Sequence, residues 1–247
     1  MHPILFRFGP ITLYSYGLMV ALGFITATLL AARTAPKFGI APDRINTLSL
    51  IILISGIIGA RALYILLNLK DFISDPVEIF MISHGGLVFY GGAVVSFLSG
   101  AAYSKISKMP VLDTADLIAP YIALGHSIGR IGCFLNGCCF GKPAAIFLGV
   151  AFGDGVIRYP TQIYSSVCLL LLYMFLRVCL EFRQFRGQIF FLYIIFYSAG
   201  RFYIEFLRGD SPIVAFNLTV FQLISLALLL FGILGYWGMR ARWNRTK

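Results

Sequence analysis

Seven blocks of apolar residues, each near twenty long, constrain this chain more than any other feature of its sequence. They lie near 14–33, 47–68, 86–104, 112–134, 161–180, 188–207 and 216–238. A helix needs about 20 mostly apolar residues to cross a hydrocarbon core. Lipid offers no partner for backbone N–H and C=O groups, so only helices and closed barrels span it. Barrel strands alternate polar and apolar residues, and these blocks do not. Composition agrees: 59% of the 247 residues are hydrophobic and 12% charged, where a soluble domain carries about 25% charged. The sequence therefore predicts an all-α integral membrane protein, a single transmembrane domain of about seven helices spanning residues 1–247.

The connections hold the breakers Pro36, Pro42, Pro76, Pro110, Pro143, Pro160 and Pro212. The longest, about 137–160, is Gly-rich and reads as a small ordered region at one membrane face. The net charge of +10 does not indicate nucleic acid, because the cations sit in short loops between apolar spans. Lys and Arg there fix orientation and attract anionic headgroups. One side holds Arg33, Lys37, Arg44, Lys105, Lys108, Arg183, Arg186, Arg240, Arg242, Arg245 and Lys247. The other holds Arg7, Lys70, Lys142, Arg158 and Arg208. The bias places the amino terminus outside and the carboxyl terminus in the cytoplasm. The amino end, with His2, Pro3 and Arg7 before a long apolar stretch, does not read as a cleavable signal peptide.

Charges inside a span are costly and mark function by default. Here they are Arg61, Arg130, Arg201 and Glu205. Counted at about 1.5 Å per residue, all four fall in the outer half of their spans, as do Tyr16 and Tyr90. Tyr197, Arg201, Glu205 and Arg208 are spaced 4, 4 and 3, one stripe of a helix. Arg201 and Glu205 can neutralise each other, but Arg61 and Arg130 leave the cations in excess. Buried excess guanidinium implies an anionic ligand, and its planar fork suits phosphate. His126, one turn before Arg130, reads as a packing histidine rather than a proton carrier. His84 precedes span three beside Gly85 and Gly86. Gly125, Gly129 and Gly132 allow close approach of a helix or a lipid. Tyr16 and Tyr90 equally suit the aromatic belt of a membrane interface. Cys133, Cys138 and Cys139 form a C-x4-C-C cluster without the C-x2-C spacing of a zinc or redox pair. The expectation is neither a metal site nor an essential nucleophile.

Several motifs resemble the bacterial prolipoprotein diacylglyceryl transferases. The run from Met1-His2-Pro3 to Phe8-Gly9-Pro10, then Tyr14-Ser15-Tyr16-Gly17, is similar to that family's start. Gly85 to Gly92 resembles a second block, and Gly129-Arg130-Ile131-Gly132-Cys133 through Asn136, Gly137 and Gly141 resembles its signature. The Y-x3-R-x3-E-x2-R pattern of Tyr197, Arg201, Glu205 and Arg208 matches its sixth span, and Pro160 to Tyr164 its entry to span five. The chain departs where the family has histidine before its second Gly-Gly pair, which is Tyr90 here. Its signature Asn and Glu are Cys133 and Cys138.

The resemblance implies a bacterial inner-membrane, multi-pass enzyme that transfers the diacylglyceryl group of phosphatidylglycerol to the lipobox cysteine of preprolipoprotein signal peptides. It implies Arg130 and Arg201 on the phosphate, Glu205 positioning Arg201, and Arg208 at the outer rim. Tyr90 becomes the candidate proton relay, and Tyr16, Tyr197, Asn136 and Gly141 line the lipid site. No metal or organic cofactor is required. One rival is an anionic lipid transporter, which would need polar lining through the inner half. Another is a non-catalytic relative that binds only lipid or signal peptide.

Overall fold

The computed structural model describes residues 2–9, 11–74, 76–81, 85–152, 155–209 and 211–246. Met1, Pro10, His84 and Lys247 lie outside the described residues. The long helices are α1 (Ser15–Thr34), α2 (Pro42–Leu67), α4 (Phe89–Ile106), α5 (Val111–Asn136), α6 (Thr161–Glu181), α7 (Gln188–Leu207) and α8 (Val220–Thr246). A short helix, α3 (Leu69–Ser74), follows α2. Among the described residues, three two-stranded antiparallel ribbons form: β1 (Ile4–Phe8) with β2 (Ile11–Tyr14) before α1, β3 (Val150–Ala151) with β4 (Ile157–Arg158) between α5 and α6, and β5 (Ile213–Ala215) with β6 (Leu218–Thr219) between α7 and α8.

Among the described residues, α1, α2, α5, α6, α7 and α8 are long and apolar enough to cross a membrane. The block expected near 86–104 is α4, with 18 residues. Gly91, Gly92, Gly100, Ser96, Ser99 and Ser104 dilute its apolar content, and it is not among the six. Helix α2 starts earlier than expected because Pro42 sits in its first turn. Proline there loses no intrahelical hydrogen bond and is preset for helical φ.

The chain divides into two compact units, residues 32–114 and the remainder, 1–31 with 115–247. In the smaller unit α2 packs on α4 through backbone: a Cβ on Gly59 would lie 2.6 Å from the Gly91 carbonyl oxygen. Ser96 Oγ donates to the Ile52 carbonyl oxygen at 2.9 Å across this crossing. Small residues drive such packing in lipid, where neighbouring helices gain nothing from hydrophobicity alone.

In the larger unit α1 crosses α5 at Gly23 and Gly125, where a Cβ on Gly23 would lie 2.7 Å from the Gly125 carbonyl oxygen. Ser127 and Ser166 tie α5 to α6 by reciprocal bonds from each hydroxyl to the other's carbonyl, 2.8 and 2.9 Å. Asp116, fully buried on α5, fixes the start of α7. It accepts from the Gly187 and Phe190 N–H groups at 2.6 and 2.8 Å and pairs with Arg183 at 3.1 Å. A carboxylate at a helix N-terminus satisfies otherwise orphaned donors and favours the helix dipole.

Candidate active site

Three helices of the larger unit, α5, α6 and α7, line an open cavity of about 340 Å³. Its lining carries His126 and Arg130 from α5 and Tyr197 and Arg201 from α7. The remaining walls include Leu169, Leu172, Phe175, Phe196 and Ile204. From Ser165 to Phe175 the lining follows α6 over ten residue steps, about 15 Å of rise. That is half of a hydrocarbon core about 30 Å thick. The cavity thus sets two guanidiniums, Arg130 and Arg201, among mostly apolar walls.

Arg130 Nε donates to His126 Nε2 at 3.2 Å. The acceptor nitrogen must be unprotonated, so His126 acts as a neutral holder of Arg130, one turn away on the same helix. Its ring also lies 5.7 Å from that of Tyr197, which stacks on Tyr193 at 5.6 Å. The expectation of a satisfied packing histidine did not name Arg130 as its partner. The i,i+4 spacing of His126 and Arg130 was the signal for it.

Arg201 is held differently. Its Nη1 pairs with Glu205 Oε2, and its guanidinium lies 4.9 Å over the Phe221 ring. The Glu205 side chain is fully buried; it also accepts from Thr219 Oγ1 at 3.1 Å and faces Arg208 Nε at 4.0 Å. One carboxylate thus serves two guanidiniums, and among the described residues no carboxylate pairs with Arg130. Thr219 and Phe221 are site residues that sequence reasoning missed, since nothing in their spacing ties β6 and the first turn of α8 to α7.

Gly141 meets the end of α7 directly. It bridges Arg208 in antiparallel fashion, and a Cβ there would lie 2.6 Å from the Leu207 carbonyl oxygen. Tyr16 in the first turn of α1 lies against Gly132. Asn136 ends α5 in a reversed turn of the Schellman type. Gly137, at φ +70°, donates to the Phe134 carbonyl at 3.1 Å, and Cys138 N–H to the Cys133 carbonyl at 3.2 Å. Thr161 Oγ1 and Gln162 Nε2, both buried at the start of α6, fix the carbonyls of Cys139 and Cys138 at 2.7 and 2.6 Å. This folding-back brings the sulfurs of Cys133, Cys138 and Cys139 within 4.8 Å of one another. A hydrogen bond from the Cys133 thiol, helped by the Arg208 charge, draws the Cys139 thiol down to about 5. Burial pushes the Cys138 thiol up.

Two residues named from sequence belong to the smaller unit. Arg61 is committed to its own neighbourhood: it donates to the carbonyls of Ile79, Gly85, Gly86, Glu78 and Met81. Those acceptors engage all three guanidinium nitrogens, so Arg61 organises the segment before α4 and does not add to the anion-binding excess. Tyr90 lies in the first turn of α4, half-exposed, with its ring 6.0 Å from Phe89.

A family model described as prolipoprotein diacylglyceryl transferase matches residues 3–238. The chain belongs to that family. Among curated relatives, a phosphatidylglycerol--prolipoprotein diacylglyceryl transferase of Clostridium tetani (strain Massachusetts / E88) is 38% identical over 239 residues, covering 94% of this chain and 96% of the relative. A second, from Clostridium perfringens (strain 13 / Type A), is 39% identical, covering 91% of this chain and 90% of the relative. One from Staphylococcus carnosus (strain TM300) is 34% identical, with 94% and 88% covered. Within this transferase-family chain, Arg130, Tyr197, Arg201, Glu205, Arg208 and Gly141 lie in one contiguous region of the larger unit.

Proposed function

We propose that this chain transfers the diacylglyceryl group of phosphatidylglycerol to the lipobox cysteine thiol of a preprolipoprotein signal peptide, releasing glycerol phosphate. The observation that carries the reading is Arg130: a guanidinium facing a mostly apolar cavity, oriented by neutral His126, with no carboxylate of its own among the described residues. A second cation, Arg201, faces the same space from α7. Together they suit one anionic phosphodiester, with an acyl chain laid along Leu169, Leu172 and Phe175.

The acceptor sulfur attacks the glycerol carbon that bears the phosphate ester oxygen. The C–S bond forms, the C–O bond breaks, and the electron pair leaves with the phosphate. Guanidiniums fixed beforehand in a low-dielectric site stabilise that charge without reorganising. Glu205 positions Arg201 and Arg208, Arg208 holds the outer rim, and Tyr90 relays the thiol proton. Tyr16, Tyr197, Asn136 and Gly141 complete the lipid site. Seven helices cross a bacterial inner membrane, with α4 as the seventh. The amino terminus is outside, the carboxyl terminus cytoplasmic, and residues 137–160 form the outer-face region of one membrane domain.

The test is thioether formation by the purified protein in phosphatidylglycerol vesicles, with a peptide bearing a lipobox cysteine. A peptide heavier by one diacylglyceryl group, with equimolar glycerol phosphate, is expected. Phosphatidylglycerol movement between leaflets without peptide modification would instead mean a transporter.

A further inference from the structure

The three-cysteine cluster at the end of α5 is not used by the phosphate clamp, yet it is the most organised group of reactive side chains in the larger unit. Cys133 lies in the last turn of the helix, and the reversal through Gly137 turns Cys138 and Cys139 back toward it. Cys139 adopts φ +62°, a left-handed backbone that a side chain with a Cβ resists. The hydrogen bonds from Thr161 and Gln162 hold it there. Their result is convergence: three sulfurs, all half-buried, within 4.8 Å of one another. The spacing in sequence argued against a metal, but that rule describes ligands on a knuckle, and these are gathered by a helix end.

We propose that Cys133, Cys138 and Cys139 form a three-thiolate zinc site whose fourth position takes the acceptor cysteine; the acceptor part rests on the transferase reading above. A tetrahedral zinc with sulfur at about 2.3 Å needs sulfurs about 3.8 Å apart. Side-chain rotations closing each gap by about 1 Å or less reach that from the observed arrangement. Thiolate is the ligand type that selects zinc over hard cations. Structural zinc sites use four protein ligands, whereas three with one open position is the catalytic pattern. The described residues place three His, Cys, Asp or Glu ligands here and no fourth. Three thiolates around zinc carry one net negative charge, four carry two, and the positive charges of Arg208 and Arg130 reach the cluster.

A thiol that joins such a site is deprotonated outright. The acceptor S–H gives up its proton, through the relay proposed above, on taking the fourth position. Its sulfur then attacks the glycerol carbon; the C–S bond forms as the C–O bond breaks, and glycerol phosphate departs with the electron pair. The thioether product is neutral and a poorer ligand, so it is released and the position reopens.

Cobalt(II) is the probe, because a tetrahedral cobalt thiolate centre shows sulfur-to-cobalt charge-transfer bands whose intensity counts sulfurs. Purified full-length protein, reduced and stripped of metal, is expected to bind one cobalt per chain with those bands. A lipobox cysteine peptide should raise the charge-transfer intensity by about a third, from three sulfurs to four, and a matching peptide with serine in place of that cysteine should not. Cys168→Ser with Cys179→Ser should keep the bands. Cys138→Ser, checked for intact helix content, should weaken cobalt binding at least tenfold. Bands absent from the wild-type chain, or unchanged by Cys138→Ser, overturn the metal site. A spectrum indifferent to the cysteine peptide, in protein that still forms thioether, overturns the acceptor role. Peptide-responsive bands without thioether formation sink the transferase reading and leave the four-sulfur site standing.

Discussion

Arg201→Lys keeps the positive charge on α7 and removes the planar fork, which makes it the sharpest probe of the phosphate clamp. In the structure the Arg201 guanidinium does three things: it pairs with buried Glu205, lies 4.9 Å over the Phe221 ring, and faces the cavity. Lysine can still reach the carboxylate, so the variant should fold, and no buried charge is left alone. What it loses is one directional hydrogen bond to a charged partner, worth about 1.5–3 kcal/mol. At about 1.36 kcal/mol per tenfold, kcat/KM should fall about ten- to 150-fold. The loss should appear mainly in kcat if the second N–H bond forms only as charge builds on the leaving phosphate. The assay is thioether formation in phosphatidylglycerol vesicles, with Lys105→Ala as the control, since Lys105 is exposed in the smaller unit. The control should stay within about twofold. Equal activity of the two variants would refute the assignment of Arg201 to the phosphate.

Three further outcomes follow from neighbouring contacts. His126→Phe keeps a ring against Tyr197 but removes the acceptor for Arg130 Nε; thioether formation should drop about tenfold or more, and unchanged turnover would mean that Arg130 needs no holder. Asp116→Ala strips the start of α7 of its carboxylate and leaves Arg183 without that partner. Thermal unfolding in detergent should show a loss of about 3 kcal/mol, whereas an unshifted midpoint would contradict the pinning role. Tyr90→Phe removes only a hydroxyl. Turnover should fall at least about tenfold, in line with general acid–base groups, and near-normal turnover would make Tyr90 a packing residue.

The helices were legible because lipid enforces one rule: blocks of apolar residues near twenty long must close their own hydrogen bonds. Among the described residues, six of the seven blocks became helices apolar enough to span, and α4 escaped that class as its small residues, Gly91, Gly92, Gly100 and Ser96 among them packing against α2, dilute its apolar content. The stripe of Tyr197, Arg201 and Glu205 was legible for the same reason, since helical spacing fixes which side chains share a face. Depth was less informative than contact. Arg61 looked equivalent to Arg130 by its place along a span, yet backbone carbonyls of the following loop absorb it. A loop's path is not written in periodicity. The same limit hid Thr219 and Phe221 from view, and it hid the convergence of Cys133, Cys138 and Cys139, which depends on a helix C-terminus reversing through Gly137.

On the proposed reading, Arg130 and Arg201 hold an anionic lipid phosphate in the cavity between α5, α6 and α7. Lipid retention by the purified protein, read by mass spectrometry after exchange into equal phosphatidylglycerol and phosphatidylcholine, tests it without requiring turnover. The wild-type chain is expected to retain phosphatidylglycerol at least about tenfold over phosphatidylcholine, and Arg130→Gln with Arg201→Gln should abolish that preference, as loss of two charged hydrogen-bond donors implies. Equal retention of both lipids by the wild-type chain, or an undiminished preference in the double variant, would contradict it.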